Sequence, residues 1–145
     1  IADEPTTALD VTIQAQIIHQ MRSQITDRGL GMIWITHDLA TLSELADRIL
    51  VMYAGAMMET GATAEIIATP RHPYTSKLLE SVPSNNEPGQ RLKQIRGTMP
   101  SLLALGEGCA FRSRCERASP ACEASPPKRS FSSTHHAWCH HPIEG

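Results

Sequence analysis

Hydrophobic residues follow two different periods at the start of the chain. Residues 11–28 carry an apolar side chain at every fourth position, which is typical of one face of a helix. These positions are Ile13, Ile17, Met21 and Ile25. Residues 32–36 instead form a nearly continuous apolar run, as expected for a parallel strand covered on both faces. With the apolar residues Ile1 and Ala2 in front, the pattern predicts a strand, a helix and a second strand.

Polar residues mark the ends of these elements. Asp10 precedes the first helix and is a suitable N-cap, while Gly29 is a suitable C-terminal stop. Asp38 follows the second strand and is expected to cap another helix that runs to about Ala46. The alternation of strands and helices predicts an α/β fold.

The remainder of the chain divides by composition. Residues 48–60 are predicted to form two short strands joined as a hairpin. A short helix is expected over residues 63–68, and a last helix covers roughly residues 74–81. Residues 83–108 are linker-like, with Pro, Ser, Asn and Gly frequent in their first part. Residues 109–145 form a cysteine-rich C-terminal extension that is expected to be irregular.

Chemically active side chains follow both predicted strands at the start of the chain. Asp3 and Glu4 come directly after the first, and His37 comes directly after the second. Parallel strands joined by a helix bring their carboxyl ends to the same edge of a sheet, where ligands bind in open α/β folds. Alternation along a strand sends the two carboxylates to different sides, so that one can approach a metal ion while the other faces a water molecule. We therefore expect Asp3, Glu4 and His37 to converge on one site.

Composition limits both the number of domains and the classes of partner. The chain has 145 residues, 41% of them hydrophobic, which predicts one domain, or one domain with an appendage. A formal net charge of −2 gives no electrostatic basis for binding nucleic acid or an anionic membrane. No apolar run approaches the ~18 residues that span a bilayer, and we expect no signal peptide. Because the chain opens on a strand residue and not on Met, we expect it to be part of a longer protein.

All four cysteines lie in the C-terminal extension, among charged and proline residues. They are Cys109, Cys115, Cys122 and Cys139. A segment with so few apolar side chains cannot build its own core, so it must be held by something else. Disulfides need an oxidising compartment, and structural zinc sites usually use closely spaced cysteine pairs that are absent here. An iron–sulfur cluster also takes four cysteines and accommodates wider spacing.

The two segments that contain Asp3, Glu4 and His37 resemble a known family. The sequence DEPTTALD at residues 3–10, followed by ITHDL at residues 35–39, is similar to the ATP-binding subunits of ABC transporters. The resemblance implies the C-terminal part of a P-loop NTPase domain over residues 1–82. It implies that Asp3 acts on magnesium, that Glu4 polarises the attacking water and that His37 contacts the γ-phosphate. Asp10 matches the loop that lies at the seam between two such subunits.

The same family binds ATP through segments that these 145 residues lack. The glycine-rich phosphate loop, whose Lys and backbone N–H groups grip the nucleotide, is absent, and so is the family's signature motif. ATP and magnesium are therefore expected as ligands of the intact protein. The chain alone is expected to be inactive as an ATPase.

A second segment narrows the resemblance. The sequence PRHPYT at residues 70–75 looks like the hallmark of the subfamily that energises uptake of dipeptides, oligopeptides or nickel. Physically it is only a proline-bounded turn that opens a helix. Some members of that subfamily carry a similar cysteine quartet, so the resemblance favours a 4Fe–4S cluster, with zinc as the alternative. The nearby histidines admit mixed cysteine and histidine ligation of a metal, but they are expected to be solvated. They are His135, His136, His140 and His141.

The resemblance implies a role for the intact protein. It would be an ATP-hydrolysing subunit that energises peptide import, peripheral to the cytoplasmic face of the bacterial inner membrane. Its partners would be a second ATP-binding subunit, identical or different, the transmembrane permease subunits and, indirectly, a peptide-binding protein. The competing hypothesis is a non-catalytic metal-binding or iron–sulfur module from a truncated gene.

Overall fold

The computed structural model describes residues 1–82, 94–101 and 105–144. The described chain is α/β, as predicted, with one parallel and one antiparallel sheet. It divides into two compact units, residues 1–47 and residues 48–145. Much of the predicted linker, at residues 83–93 and 102–104, lies outside the described residues.

Most of the predicted elements are present. The helices and strands, in chain order, are β1 (Ala2–Asp3), α1 (Val11–Arg28), β2 (Trp34–Ile35), α2 (Leu39–Leu45), β3 (Arg48–Tyr53), β4 (Ala56–Ala62), α3 (Thr63–Ala68), α4 (Pro73–Glu80), β5 (Lys128–Ser130) and β6 (His136–Trp138). Two 3₁₀ helices, Arg112–Arg114 and Pro120–Glu123, precede β5.

The first unit is the predicted strand–helix–strand. The side chain of Asp10 accepts a hydrogen bond from the backbone N–H of Ile13, and Gly29 ends α1 in the left-handed conformation. Strands β1 and β2 pair in parallel, with Asp3 opposite Ile35. Strand β2 covers only two residues of the predicted run at 32–36. The apolar stripe of α1 has no buried side chain in this unit.

The second unit contains the predicted hairpin and extends it. Strands β3 and β4 pair antiparallel, and β6 and then β5 join the edge of β4. Alternate residues of β3 are buried: Ile49, Val51 and Tyr53. The C-terminal extension is therefore not wholly irregular, because two of its short strands complete a four-stranded sheet.

The extension also supplies the central side chain of the second unit's core. Phe111 is 1% exposed and contacts the rings of Tyr53 and Tyr74, at centroid distances of 5.3 and 5.2 Å. The ring of His72 lies 6.3 Å away. Burying one phenylalanine stabilises a fold by roughly 1.5–3 kcal/mol. The extension cannot form a core alone, but it shares one with β3 and α4.

Among the described residues, no helix combines the length and the apolar character needed to cross a membrane.

Candidate functional site

Glu4 and His37 meet at the carboxyl ends of β1 and β2. The Nδ1 atom of His37 lies 2.8 Å from Oε1 of Glu4, so that its N–H donates to the carboxylate. The sequence predicted this convergence from the parallel pairing of the two strands. The pair is open to solvent, since the His37 side chain is 83% exposed and that of Glu4 37%.

The backbone around Glu4 holds its carboxylate in place. The N–H of Glu4 donates to the carbonyl of Ile35 at 2.9 Å, which continues the parallel ladder by one bond. The chain then turns sharply, with a φ of 45° at Glu4, a conformation that non-glycine residues adopt at a cost. The hydroxyl of Thr7 donates to the second carboxylate oxygen at 2.8 Å. Both oxygens of Glu4 therefore have a partner.

The two partners shift each other's titration. The hydrogen bond from His37, followed by that from Thr7, lowers the pKa of Glu4. The hydrogen bond to Glu4, followed by the charge of Glu4, raises the pKa of His37. A carboxylate and an imidazolium stabilise each other's charged forms. Each of the two residues therefore stays charged over a wider pH range than it would without its partner.

Asp3 and Asp10 are the other two predicted site residues of the first unit, and their surroundings differ from each other. Asp3 is the last residue of β1 and is exposed. Asp10 is exposed and caps α1 through the bond to Ile13. The structure brings Glu4 and His37 into contact, while Asp3 is adjacent to Glu4 along the chain and Asp10 is occupied as a cap.

The four cysteines lie in the second unit, and Cys109, Cys122 and Cys139 are buried. The backbone N–H of Cys109 donates to the carbonyl of Cys122 at 2.9 Å, and that of Cys139 donates to the carbonyl of Pro127. Burial raises the pKa of Cys109 and of Cys115, and raises the pKa of Cys139 to about 11.

The cysteines are not arranged as a ready ligand set. Among the described residues, which include all four cysteines, no three His, Cys, Asp or Glu side chains are placed to hold one metal ion. Metal-free thiols with raised pKa values are protonated at neutral pH, whereas a metal binds the thiolate. Among the described residues the cysteines form no site for a single metal ion, and the predicted 4Fe–4S cluster is not supported.

The sequence analysis missed a buried carboxylate. Glu59 on β4 is 0% exposed, and its Oε1 lies 2.6 Å from Nε2 of His135. His135 is 3% exposed, so the expectation that this histidine is solvated was wrong. The one available signal was a glutamate inside an apolar strand, directly after Met57 and Met58. A carboxylate in that position is buried only when paired.

The turn at residues 70–75 has a role in the fold. The backbone N–H groups of Arg71 and His72 donate to Glu59 at 2.7 and 2.9 Å. His72 is the N-cap of α4, and its Nδ1 accepts from the N–H of Tyr74. Burial lowers the pKa of His72 to about 4, so this side chain is neutral at physiological pH.

Comparison with known proteins agrees with both resemblances. Residues 58–122 match the family described as "Oligopeptide/dipeptide transporter, C-terminal region". The chain is 48% identical over 126 residues to the probable D,D-dipeptide transport ATP-binding protein DdpD of Escherichia coli, covering 87% of this chain and 38% of that protein. It is 42% identical over 144 residues to the oligopeptide transport ATP-binding protein OppD of Salmonella typhimurium, covering 99% and 43%. It is 41% identical over 145 residues to the dipeptide transport ATP-binding protein DppD of Escherichia coli, covering 99% and 44%.

These similarities define the class of protein. The motifs around Glu4 and His37, together with relatives that are all ATP-binding proteins, place the chain among the ATP-binding subunits of ABC transporters. Within that class, it belongs to the peptide-importer family and corresponds to the C-terminal part of the subunit. The chain spans about two fifths of the length of the curated relatives it matches, between 38% and 44%.

Proposed function

We propose that this chain forms the C-terminal, hydrolytic part of an ATP-hydrolysing subunit that energises peptide import. The observation that carries the proposal is the contact between Glu4 and His37 at the carboxyl ends of two parallel strands. That edge is where ligands bind in open α/β sheets. The three relatives are named for D,D-dipeptide, oligopeptide and dipeptide transport, which points to peptides as the cargo class.

Each residue at the edge has a distinct proposed task. Glu4 orients and polarises the water that attacks the γ-phosphate, and His37 contacts that phosphate. Phosphoryl transfer depends mainly on positioning and charge stabilisation, which fits a carboxylate and an imidazole held in fixed relation. Asp10 lies at the proposed seam with a second ATP-binding subunit, in addition to capping α1.

The pairing of Glu4 with His37 suggests how the site changes when a nucleotide binds. In the free chain His37 occupies one oxygen of Glu4, and Thr7 occupies the other. When His37 turns toward a phosphate, it releases one carboxylate oxygen, which can then accept a hydrogen bond from water. Before that step the bond to Glu4 raises the pKa of His37 and favours the imidazolium, and the negative charge of the phosphate would favour the same form after it.

Asp3 fits the requirements for magnesium. Mg²⁺ usually keeps several waters and is held by one or two carboxylates together with the substrate phosphates. An exposed carboxylate beside Glu4 therefore suffices as the protein's contribution. The ion would neutralise charge on the phosphates.

The chain by itself is proposed to be inactive toward ATP. It lacks the G-x-x-x-x-G-K-[ST] loop that supplies most of the grip on the phosphates. Phosphate release is measured for residues 1–145 alone, and for a longer protein in which the part of OppD that precedes the matched region is joined in front of residue 1. Hydrolysis only in the longer protein supports the proposal. If neither form hydrolyses ATP, the catalytic assignment fails.

The proposed partners follow from the family and not from contacts in this chain. They are a second ATP-binding subunit, transmembrane permease subunits and, indirectly, a peptide-binding protein. The proposed location is the cytoplasmic face of the bacterial inner membrane.

A second function is favoured by the gathering of four thiols in the second unit. All four cysteines lie in this one unit, and a backbone hydrogen bond joins Cys109 to Cys122, which supports a metal-binding module with an iron–sulfur cluster or zinc as the candidates. Such a module would have to draw the thiols closer than they lie in the metal-free chain, since no ligand set is formed there among the described residues. Metal analysis and an absorption spectrum of anaerobically purified protein test this. Iron with visible thiolate-to-iron bands supports the cluster, whereas zinc alone refutes the cluster. Protein that contains no metal refutes the metal-binding module as a whole.

A further inference from the structure

Two segments that are distant in sequence from β4 converge on the carboxylate of Glu59. One oxygen accepts from the N–H of Arg71 and from Nε2 of His135, and the other accepts from the N–H of His72. These bonds join β4, the turn before α4 and the C-terminal extension. A carboxylate that is 0% exposed is tolerated only when hydrogen bonds replace its hydration, and here three do so.

Arg71 completes the attachment of the extension to the turn. Its N–H bond to Glu59 fixes its backbone, and its carbonyl accepts from the N–H of Ile143 at 2.8 Å. Its guanidinium donates to the carbonyl of Ile143 at 3.1 Å and lies 4.9 Å from the centre of the Phe131 ring. The turn therefore holds the extension both before and after β6.

The contacts of Glu59 also set the register of β6. Glu59 lies opposite Ala137, which is 0% exposed, and Thr60 lies opposite His136. Cys139 follows β6 directly, so the pairing of β6 with β4 decides where this thiol lies. Cys109 and Cys122 are fixed separately, by the backbone bond between them.

We propose that Glu59 is a positioning residue that docks β5 and β6 onto the turn at residues 70–75 and thereby fixes the position of Cys139 at the end of β6. This arrangement gives the motif at residues 70–75 a structural role. It is the intramolecular docking site of the cysteine-rich extension. This role concerns the metal-free protein, so it stands or falls independently of the proposed ATP hydrolysis and of any metal.

Glu65 is a useful contrast, because it binds the same extension at a different place. Its carboxylate accepts from the hydroxyls of Ser132 and Thr134, in the turn between β5 and β6, and it is only partly buried. These bonds hold the tip of the hairpin and not the strand that leads to Cys139. Loss of Glu65 is therefore expected to affect Cys139 less than loss of Glu59.

The test measures how fast each cysteine is alkylated in the native, reduced chain of 145 residues. Iodoacetamide is added with a chelator present, and mass spectrometry gives a rate for each thiol. In Glu59→Gln we expect the rate at Cys139 to rise about tenfold, because loss of a buried charged hydrogen bond makes local opening of β6 more frequent. The rates at Cys109 and Cys122 should change by less than about twofold.

Two further variants make the result decisive. His135→Gln leaves the bonds of Glu59 to Arg71 and His72 in place and should also accelerate Cys139, so it replaces Glu59→Gln if that variant does not fold. Glu107→Gln removes an exposed carboxylate of the same unit and should leave every rate unchanged. An equal rise at Cys109, Cys122 and Cys139 means that Glu59 only stabilises the unit, and no rise at Cys139 means that Glu59 does not hold it; either result overturns the proposal.

Discussion

His37 donates a hydrogen bond from Nδ1 to Oε1 of Glu4 at 2.8 Å, although 33 positions separate the two residues along the chain. The contact exists because each residue immediately follows a strand and the two strands are parallel, with Asp3 opposite Ile35. Phosphoryl transfer depends mainly on positioning and charge stabilisation. The proposed roles of Glu4 and His37 therefore depend on this contact.

The ionisation of His37 should depend on Glu4. The bond to Glu4 raises the pKa of His37 and lowers that of Glu4, so the pair is fully ionised above the lowered value and below the raised one. The stabilisation is therefore lost as pH falls through the pKa of Glu4 and as pH rises through that of His37. In an NMR titration, His37 should titrate above 6.5, and in Glu4→Gln it should return toward 6.5.

Thr7→Val is the matched control for this titration. It removes the hydroxyl bond to the other oxygen of Glu4 and leaves the His37 contact in place. His37 should still titrate above its ordinary pKa in this variant. A wild-type His37 that titrates normally, or one that Glu4→Gln does not shift, is incompatible with the pair in solution.

Gly108 should be intolerant of any side chain. Its φ is +99°, and a Cβ there would lie 2.5 Å from the carbonyl oxygens of Cys122 and Glu123. Gly108→Ala combines the cost of the backbone conformation with a clash against rigid backbone, so we expect a loss of about 3 kcal/mol or more. Gly55→Ala carries only the first cost, about 1 kcal/mol, because nothing lies within 4 Å of its Cβ position at a φ of +80°. Equal losses in urea unfolding would contradict the close approach at Gly108.

The tryptophans allow the second unit to be followed separately. The chain has two, with Trp34 in the first unit and Trp138 in the second. In a Trp34→Phe background, fluorescence therefore reports the second unit alone. This matters because a chain with two compact units need not unfold in one transition.

His72 should make the second unit sensitive to acid. Its pKa is about 4 when folded and 6.5 when unfolded, so the unfolded state binds an extra proton between these values. Stability from this source is intact above pH 6.5 and falls by up to about 3 kcal/mol as pH drops to 4. His72→Asn keeps a side-chain acceptor for the N–H of Tyr74 but cannot ionise, so its loss of stability over this range should be smaller. Parallel pH profiles for the two proteins would rule out the buried neutral histidine.

The sequence predicted best those elements whose determinants lie close together along the chain. The spacing of apolar residues, the cap at Asp10 and the stop at Gly29 defined α1 correctly because helix signals lie within the helix and its flanks. The meeting of Glu4 with His37 followed from one further rule, the parallel pairing of strands joined by a helix.

The second unit was predicted less well because its contacts are long-range. Strands β5 and β6 have only three residues each and no apolar alternation, so nothing local marks them. Burial of Glu59 depends on His135, which is 76 positions away. Only the fold shows that these two polar residues compensate each other's burial.

Hydrolysis by the intact protein tests the central claim most directly. Residues 1–145 are joined to the part of OppD that precedes the matched region, and ATP binding and phosphate release are measured for Glu4→Gln beside Glu107→Gln. We predict that Glu4→Gln binds ATP normally and releases phosphate at least about 100-fold more slowly, while Glu107→Gln resembles the unmutated protein. Phosphate release by Glu4→Gln at the unmutated rate would contradict the assignment of this edge as the site of hydrolysis.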